Sequence, residues 1–387
     1  MRPVHVILMI IIACNYSCED YEVHSINIIK SDPIGWDRKE DCKITYSDTK
    51  KGVELKGKIK YRGGISRRYH KHSFSLELDK KHSFSRHLKD DDWILNANYI
   101  DKTFMRHKIS YDLFREMNDN NVASKSTFVN MSVNDSYKGL YVLMEKISLS
   151  VLDMDKTDSM AMLFKDPPIF YKDNPGFAED SLNTYNQKFP KIKSFNKTAY
   201  VQQFKDFLFH STDSAFAKGI SNWVDLDNVI DWHIMLLFSN NEDGIMKNFY
   251  LYKKDKDTPF RFAIWDYDHS YGRDGDNEYN MMRSEVNCNR AILFERLSKL
   301  PSIKYNERLK KRWLSYRQKN IISVKNFERH IKKNDRMIKS EVLKNSELWP
   351  LDNKWYFDAN TYTEELELMR KFLKIRIVQL DKYFTAL

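Results

Sequence analysis

The sequence predicts an α+β fold in two lobes, strand-rich in the first and mainly helical in the second. Three observations carry this expectation. Apolar and polar residues alternate with period two in "VELKGKIKYRG", "HSFSLEL" and "STFVNMSVNDSYKGLYVLMEKI", all in the first part of the chain. Apolar residues recur at helical spacing through most of the chain after residue 195. Between these regions, residues 165–195 are rich in Pro, Asn and Asp and read as a long connecting loop.

The strand-rich lobe takes residues 25–164. Within it, "RGGISRRYHK" is a glycine turn that carries arginines and a serine between two alternating runs. "DWILNANYIDKTFMRHKISYDLFREM" begins as a short apolar segment and becomes a helix from about Lys102, with Phe104, Ile109, Leu113 and Phe114 on one face. Two further alternating runs flank Asn134-Asp135, the signature of a hairpin. The helical lobe takes residues 196–387. "AYVQQFKDFLFHSTDSAF" and "LDNVIDWHIMLLFSNN" read as helices, the second capped by Asp225 or Asp227. A hairpin follows, "FYLYKK" turning through "DKDTP" into "FRFAIW", and helical signal fills the rest apart from "SELWPLDNKWYFD". The 387 residues would allow two to three domains of ~150 residues, but the order of elements describes one bilobal unit.

Charge narrows the classes of partner. The chain has 64 Lys+Arg against 54 Asp+Glu, a net charge of +10, which invites a test for nucleic-acid binding. The excess is diffuse. Its densest run, "IKYNERLKKRWLSYRQKN" (303–320), has helical periodicity and reads as a solvated face, and neither zinc-finger spacing nor an RNP-like strand occurs. Nucleic acid is therefore disfavoured as a partner.

The start "MRPVHVILMIIIAC" has a short basic end, an apolar run from Val6 to Ala13 and a small residue before Cys14. This is the layout of an export signal over residues 1–13, with Cys14 as the lipidated first residue of the processed chain and a tether to residue 24. Cys18 has the poorer context, with Asn15 where an aliphatic residue is expected. In an exported chain the two remaining cysteines, Cys42 and Cys288, are available to pair. Beyond residue 14 no apolar run approaches the ~18 residues of a membrane span.

The chemistry gathers in "NNEDGIMKNFYLYKKDKDTPFRFAIWDYDHSYG" (240–272). Asp243 lies in the loop after an apolar helix, Asn248 opens one strand of the hairpin and Asp266 closes the other. A tight hairpin brings its two open ends together, so Asn248 and Asp266 are expected to be neighbours, with Asp243 facing the same space. Hard cations such as Mg²⁺ take oxygen ligands and share them with substrate phosphates. Phosphoryl transfer needs that set, an Asp and an Asn on the metal and another Asp facing the attacking hydroxyl, and protein kinases space the latter pair D-x-x-x-x-N.

Five blocks in order extend the pattern: "YRGGISRRYHKHSFSLEL", "NYIDKTFMRHKISYDL", "KGLYVLMEKI", "YNQKFPKI" and the stretch from Asn241 to "WDYDHSYG". With them the chain resembles the CotH-type kinases, named for spore coat protein H, from about Tyr61 to the C-terminal helices. The resemblance implies a protein-kinase-like fold that uses ATP and Mg²⁺ to phosphorylate protein hydroxyls, mainly serine. It implies Asp243 as the aspartate facing the nucleophile, Asn248 and Asp266 as metal ligands, and Asp268 assisting. Lys71 is the expected phosphate-contacting cation, with Arg62 and Arg106 as second choices. The turn residues Gly63, Gly64 and Ser66 are expected at the nucleotide, and Glu145 either near the adenine or in a structural role. Joined to the export signal, this describes a kinase tethered outside the cytoplasm by lipid, acting on secreted or surface proteins. Two other readings stay open: a non-catalytic lipoprotein of the same shape that binds a glycan or protein, and a basic lipoprotein that contacts anionic polymers.

Overall fold

The structure, a computed structural model, describes residues 22–48, 52–85, 88–172, 179–273, 282, 285–350 and 360–387. The export signal, Cys14 and Cys18 lie outside the described residues. Among the described residues, no helix is long and apolar enough to cross a membrane.

Seven strands close into a barrel: β1 (His24–Ile29), β2 (Glu40–Ser47), β3 (Gly52–Arg62), β4 (Ser73–Ser85), β5 (Leu88–Asn96), β6 (Ser126–Val133) and β7 (Ser136–Glu145). Their order is β1-β2-β3-β4-β5-β7-β6, and the parallel pairing of β1 with β6, Ile26 opposite Met131, completes the ring. Alternation sends one face of each strand inward. Ile26, Ile28, Ile44, Ile59, Leu76, Trp93, Leu95, Val129 and Leu143 fill the interior with side chains rather than a channel. Asn134 and Asp135 both adopt left-handed backbone (φ 48° and 63°), as a two-residue hairpin requires, and join β6 to β7 as expected.

Helix α1 (Arg106–Met117) is inserted between β5 and β6. It starts four residues later than the periodicity suggested, because the Asp101 carboxylate accepts the Thr103 and Arg106 N–H groups, both at 3.0 Å, and folds residues 101–105 into a turn. Phe104, with φ 59°, is part of that turn.

A second sheet has the order β11-β10-β8-β9, from β8 (Met162–Lys165), β9 (Gln187–Phe189), β10 (Phe249–Lys253) and β11 (Arg261–Ile264). The expected connector at 165–195 therefore contains structure: its first residue ends β8, and α2 (Glu179–Thr184) and β9 follow. The run expected as one helix before residue 217 is two, α3 (Thr198–His210) and α4 (Asp213–Trp223), divided where the Thr212 hydroxyl caps α4 through the Ala215 N–H. Asp225, one of the two residues expected to cap, accepts the Asp227 and Asn228 N–H groups and starts α5 (Leu226–Ser239).

Helix α5 is buried from Asn228 to Ser239, and Trp232 stacks on Phe262 of β11 with centroids 4.1 Å apart. The helices α6 (Ile292–Lys299), α7 (Tyr305–Gln318), α8 (Val324–Leu348) and α9 (Tyr362–Ala386) complete the chain. The helical core continues onto the outside of the barrel, where Ile94, Phe128, Leu140, Val142 and Met144 join it. Cys42 belongs to the barrel core and Cys288 to the helical core; both are free thiols, so the pairing open to them in the sequence is not made.

Candidate active site

The site is assembled at the open end of the β10–β11 hairpin. Helix α5 ends in a left-handed residue, Asn240 (φ 58°), whose carboxamide oxygen is held by Arg376 of α9. The next residue, Asn241, is fully buried and works in two directions. Its Oδ1 accepts the Gly244 N–H at 2.9 Å, and its Nδ2 donates to the Asp266 carbonyl at 3.4 Å. One carboxamide thus ties the Asp243 turn to the end of β11. Asn248 (φ 67°) enters β10, and its carbonyl accepts the Trp265 N–H at 2.9 Å. The pairing of Phe249 with Ile264 sets Asn248 opposite Trp265, the residue before Asp266.

Electrostatics shows the same convergence. The Lys247 ammonium pairs with Asp243 Oδ2 at 2.9 Å. Burial works against its charge, but Asp243, and then Asp266 and Asp166, outweigh burial and raise its pKa. Asp166, after β8, has φ 50° and accepts the Phe249 N–H at 3.0 Å. Desolvation raises its carboxyl, with Lys165 and the Phe249 and Asn248 N–H groups opposing and Asp266 adding to the rise. Asp266 is ringed by protein yet open on one side, its side chain 46% exposed. That enclosure, and then the Asp268 charge, raise its carboxyl, while His107, Lys165 and His269 act in the other direction. Like charges are held close here, which disfavours the ionised forms of Asp166 and Asp266.

Helix α1 grips the loop that follows Asp266. Tyr111 Oη accepts the Asp266 N–H at 3.0 Å and His107 Nδ1 accepts the Tyr267 N–H at 2.8 Å. Arg106 Nε donates to the Ser270 carbonyl at 3.0 Å, and the Ser110 and Tyr271 hydroxyls pair at 3.0 Å. Residues 106, 107, 110 and 111 can share this work because spacings of three and four residues lie on one helix face. His107, Asp266 and Asp268 each bring one ligand atom to within 4.8 Å of the others.

The remaining expected residues separate into two groups. Arg62 is half-buried, its guanidinium 5.8 Å from the Trp265 ring centroid. Burial lowers its pKa, with Tyr250 and Asp266 among the nearby groups favouring its charge. Gly63 (φ 145°) begins the adjoining turn, where a Cβ would lie 2.4 Å from Ser66 Oγ, so only glycine fits; Gly64 is exposed beside it.

Lys71 is not presented to a phosphate. It is 1% exposed, its Nζ donates to the Ala97 and Leu140 carbonyls, and it lies over the rings of Tyr141 and Phe104. Burial drives its pKa well below the ordinary lysine value. Arg106 is fully buried and paired with Asp101 at 2.6 Å and Glu365 at 3.1 Å, so it braces α1 against α9 instead of meeting a ligand. Glu145 is buried and accepts the Lys125 N–H at 3.0 Å, the structural alternative of its two expected roles. His107, Tyr111, Lys247 and Asp166 were not singled out by sequence reasoning. The i, i+4 spacing of His107 and Tyr111 was a usable signal; Asp166, in a segment read as loop, had none.

Residues 59–380 match the family model described as CotH kinase protein. Over 227 residues the chain is 26% identical to the inner spore coat protein H of Bacillus subtilis (strain 168), covering 56% of this chain and 59% of that protein's length. The family match takes in the barrel from β3 onward, the α1 grip and the hairpin with its carboxylates, and the chain belongs to the CotH kinase protein family.

Proposed function

We propose that this chain is a protein kinase that transfers phosphate from Mg–ATP to serine hydroxyls of secreted or surface proteins, with the barrel as its N-lobe and the helices as its C-lobe. The observation that carries the reading is the meeting of Asp243, Asp166 and Asp266 around the Lys247 ammonium, with the Asn248 backbone paired to Trp265, the residue before Asp266. The donors fit a hard cation: two carboxylates, a carboxamide and open space on the exposed side of Asp266. Asn248 and Asp266 would hold Mg²⁺, with Asp268 assisting, and Asp243 would orient the hydroxyl and accept its proton. Bound metal neutralises charge on the phosphate oxygens. Arg62, the half-buried arginine next to Trp265, takes the phosphate-contacting role expected of Lys71. The location outside the cytoplasm rests on the signal-like N-terminus and on the name of the spore coat relative.

Labelled ATP with Mg²⁺ tests the reading, using the parent protein, Asp243→Asn and Asp266→Ala. Incorporation into added acceptor protein is expected from the parent and background from both variants. Background from all three would leave a non-catalytic binding protein of the same fold.

A further inference from the structure

The cluster of His107, Asp266 and Asp268 has the composition of a mixed nitrogen and oxygen cation site. The hydrogen bonding of the imidazole argues against that use. His107 is 3% exposed, and its Nδ1 lies 2.8 Å from the Tyr267 backbone nitrogen. A backbone N–H can only donate, so Nδ1 carries a lone pair and the ring proton is on Nε2. Nε2 is the nitrogen that faces the carboxylate, 3.6 Å from Asp266 Oδ1. Histidines that bind metals are wired the other way: the nitrogen away from the metal donates to a carbonyl or carboxylate. For Nε2 to become a ligand, the proton would have to move to Nδ1 and oppose the Tyr267 N–H at 2.8 Å.

We propose that His107 is a positioning residue, which aims an Nε2–H at Asp266 Oδ1 and stays outside the coordination shell, so that the cation is held by oxygen alone. The proposal rests on the metal-dependent reading above and specifies its cofactor class. The 3.6 Å separation exceeds a hydrogen bond, as catalytic contacts often do before ligands bind. His107 also acts with a neighbour. Tyr111, one turn later on α1, stacks on it with centroids 5.9 Å apart and takes the Asp266 N–H. The backbone and side chain of Asp266 are thereby fixed from one helix face, and Oδ2 is left for the ion. Cations that favour imidazole, such as Zn²⁺, gain no nitrogen here, whereas Mg²⁺, Mn²⁺ and Ca²⁺ lose nothing.

Mn²⁺ is the probe, added to full-length protein carrying ¹⁵N-labelled histidine. Pulsed EPR is expected to show bound Mn²⁺ without a directly coordinated imidazole nitrogen. Histidine ¹⁵N spectra of the metal-free protein are expected to show a protonated Nε2 and an unprotonated Nδ1 for the resonance that disappears in His107→Gln. In Mn²⁺ titrations, His107→Gln, which can keep a donor near the Nε2 position, should stay within about threefold of the parent. His107→Asn, which keeps only the acceptor for Tyr267, should weaken binding by about tenfold. A coordinated nitrogen, a protonated Nδ1, or equal losses in the two variants would overturn the proposal. If the parent binds no Mn²⁺, the kinase reading fails instead; the tautomer then decides the positioning contact alone, Nε2–H keeping it and Nδ1–H removing it.

Discussion

Asp266 is held beside other acidic groups, and ionising it there has a measurable cost without metal. Its pKa is raised by enclosure and then by Asp268. A group whose folded pKa exceeds its unfolded value contributes fully below the unfolded pKa, and that contribution is lost as pH rises through the folded pKa. The metal-free protein has lost that contribution once the pH exceeds this raised pKa. Asp266→Asn should unfold at a higher temperature than the parent in EDTA, and Mg²⁺ should raise the midpoint of the parent but not of the variant. A lower midpoint for the variant in EDTA would contradict this account. Glu116, at the far end of α1, shows the opposite sign. Burial would raise its pKa, but hydrogen bonds from His330 and Asn326, with Arg329, hold it at about 2, below its ordinary 4.5. That stabilisation is present above pH 4.5 and lost as pH falls toward 2. Urea unfolding across this window should show a shallower pH dependence in Glu116→Gln than in the parent. Residues at this scale were legible where spacing encoded them, as with Asp243, Asn248 and Asp266. Lys71 misled because a lysine opening a strand looks the same in sequence whether its ammonium meets a phosphate or two carbonyls.

Among the elements, α1 and α9 brace the site from behind. Glu365 of α9 pairs with Arg106 of α1 at 3.1 Å and with Arg273 beyond the Asp266 loop, and Asn360 donates to it at 3.0 Å. All three charged side chains are buried. Replacing the acceptor leaves two buried guanidinium groups short of charge, the situation in which breaking a buried pair costs about 3–5 kcal/mol. Glu365→Gln should lose stability of that order in chemical denaturation; a change within about 0.5 kcal/mol, the size of an ordinary surface substitution, would show that the cluster is not structural. The elements most legible in sequence had a local signal, such as the Asn134-Asp135 turn and the Asp225 cap. Strands β8 and β9 escaped because segments of three and four residues are too short for period two to emerge, and they lie in a stretch rich in turn residues. The start of α1 was misplaced because a buried side chain, Asp101, holds residues 101–105 in a turn ahead of the helix.

For the whole molecule, the sequence order of strands, connector and helices foretold an α+β chain but not the closed barrel. Closure depends on the parallel pairing of β1 with β6, separated by about a hundred residues, for which the sequence has no local mark. The shared packing also explains the cysteines. Cys42 is enclosed by the barrel and Cys288 by the helices, and burial pushes the Cys42 thiol up to about 11 and the Cys288 thiol higher still. Thiolates are the reactive form, so both should resist alkylation in the native protein at neutral pH and label together on unfolding. Mass spectrometry of peptides from native and denatured samples would show it; native labelling of either would mean that its core opens locally.

The oxygen donors rest on an uncomfortable backbone. Asp166, Asn248 and Asp266 all have φ between 50° and 67°, a region that most side chains other than glycine enter at a cost of about 1–2 kcal/mol and that Asn and Asp enter most readily. Glycine at any of these positions relaxes the chain while deleting a donor. Such a change would trade the side chain's role at the site for backbone freedom.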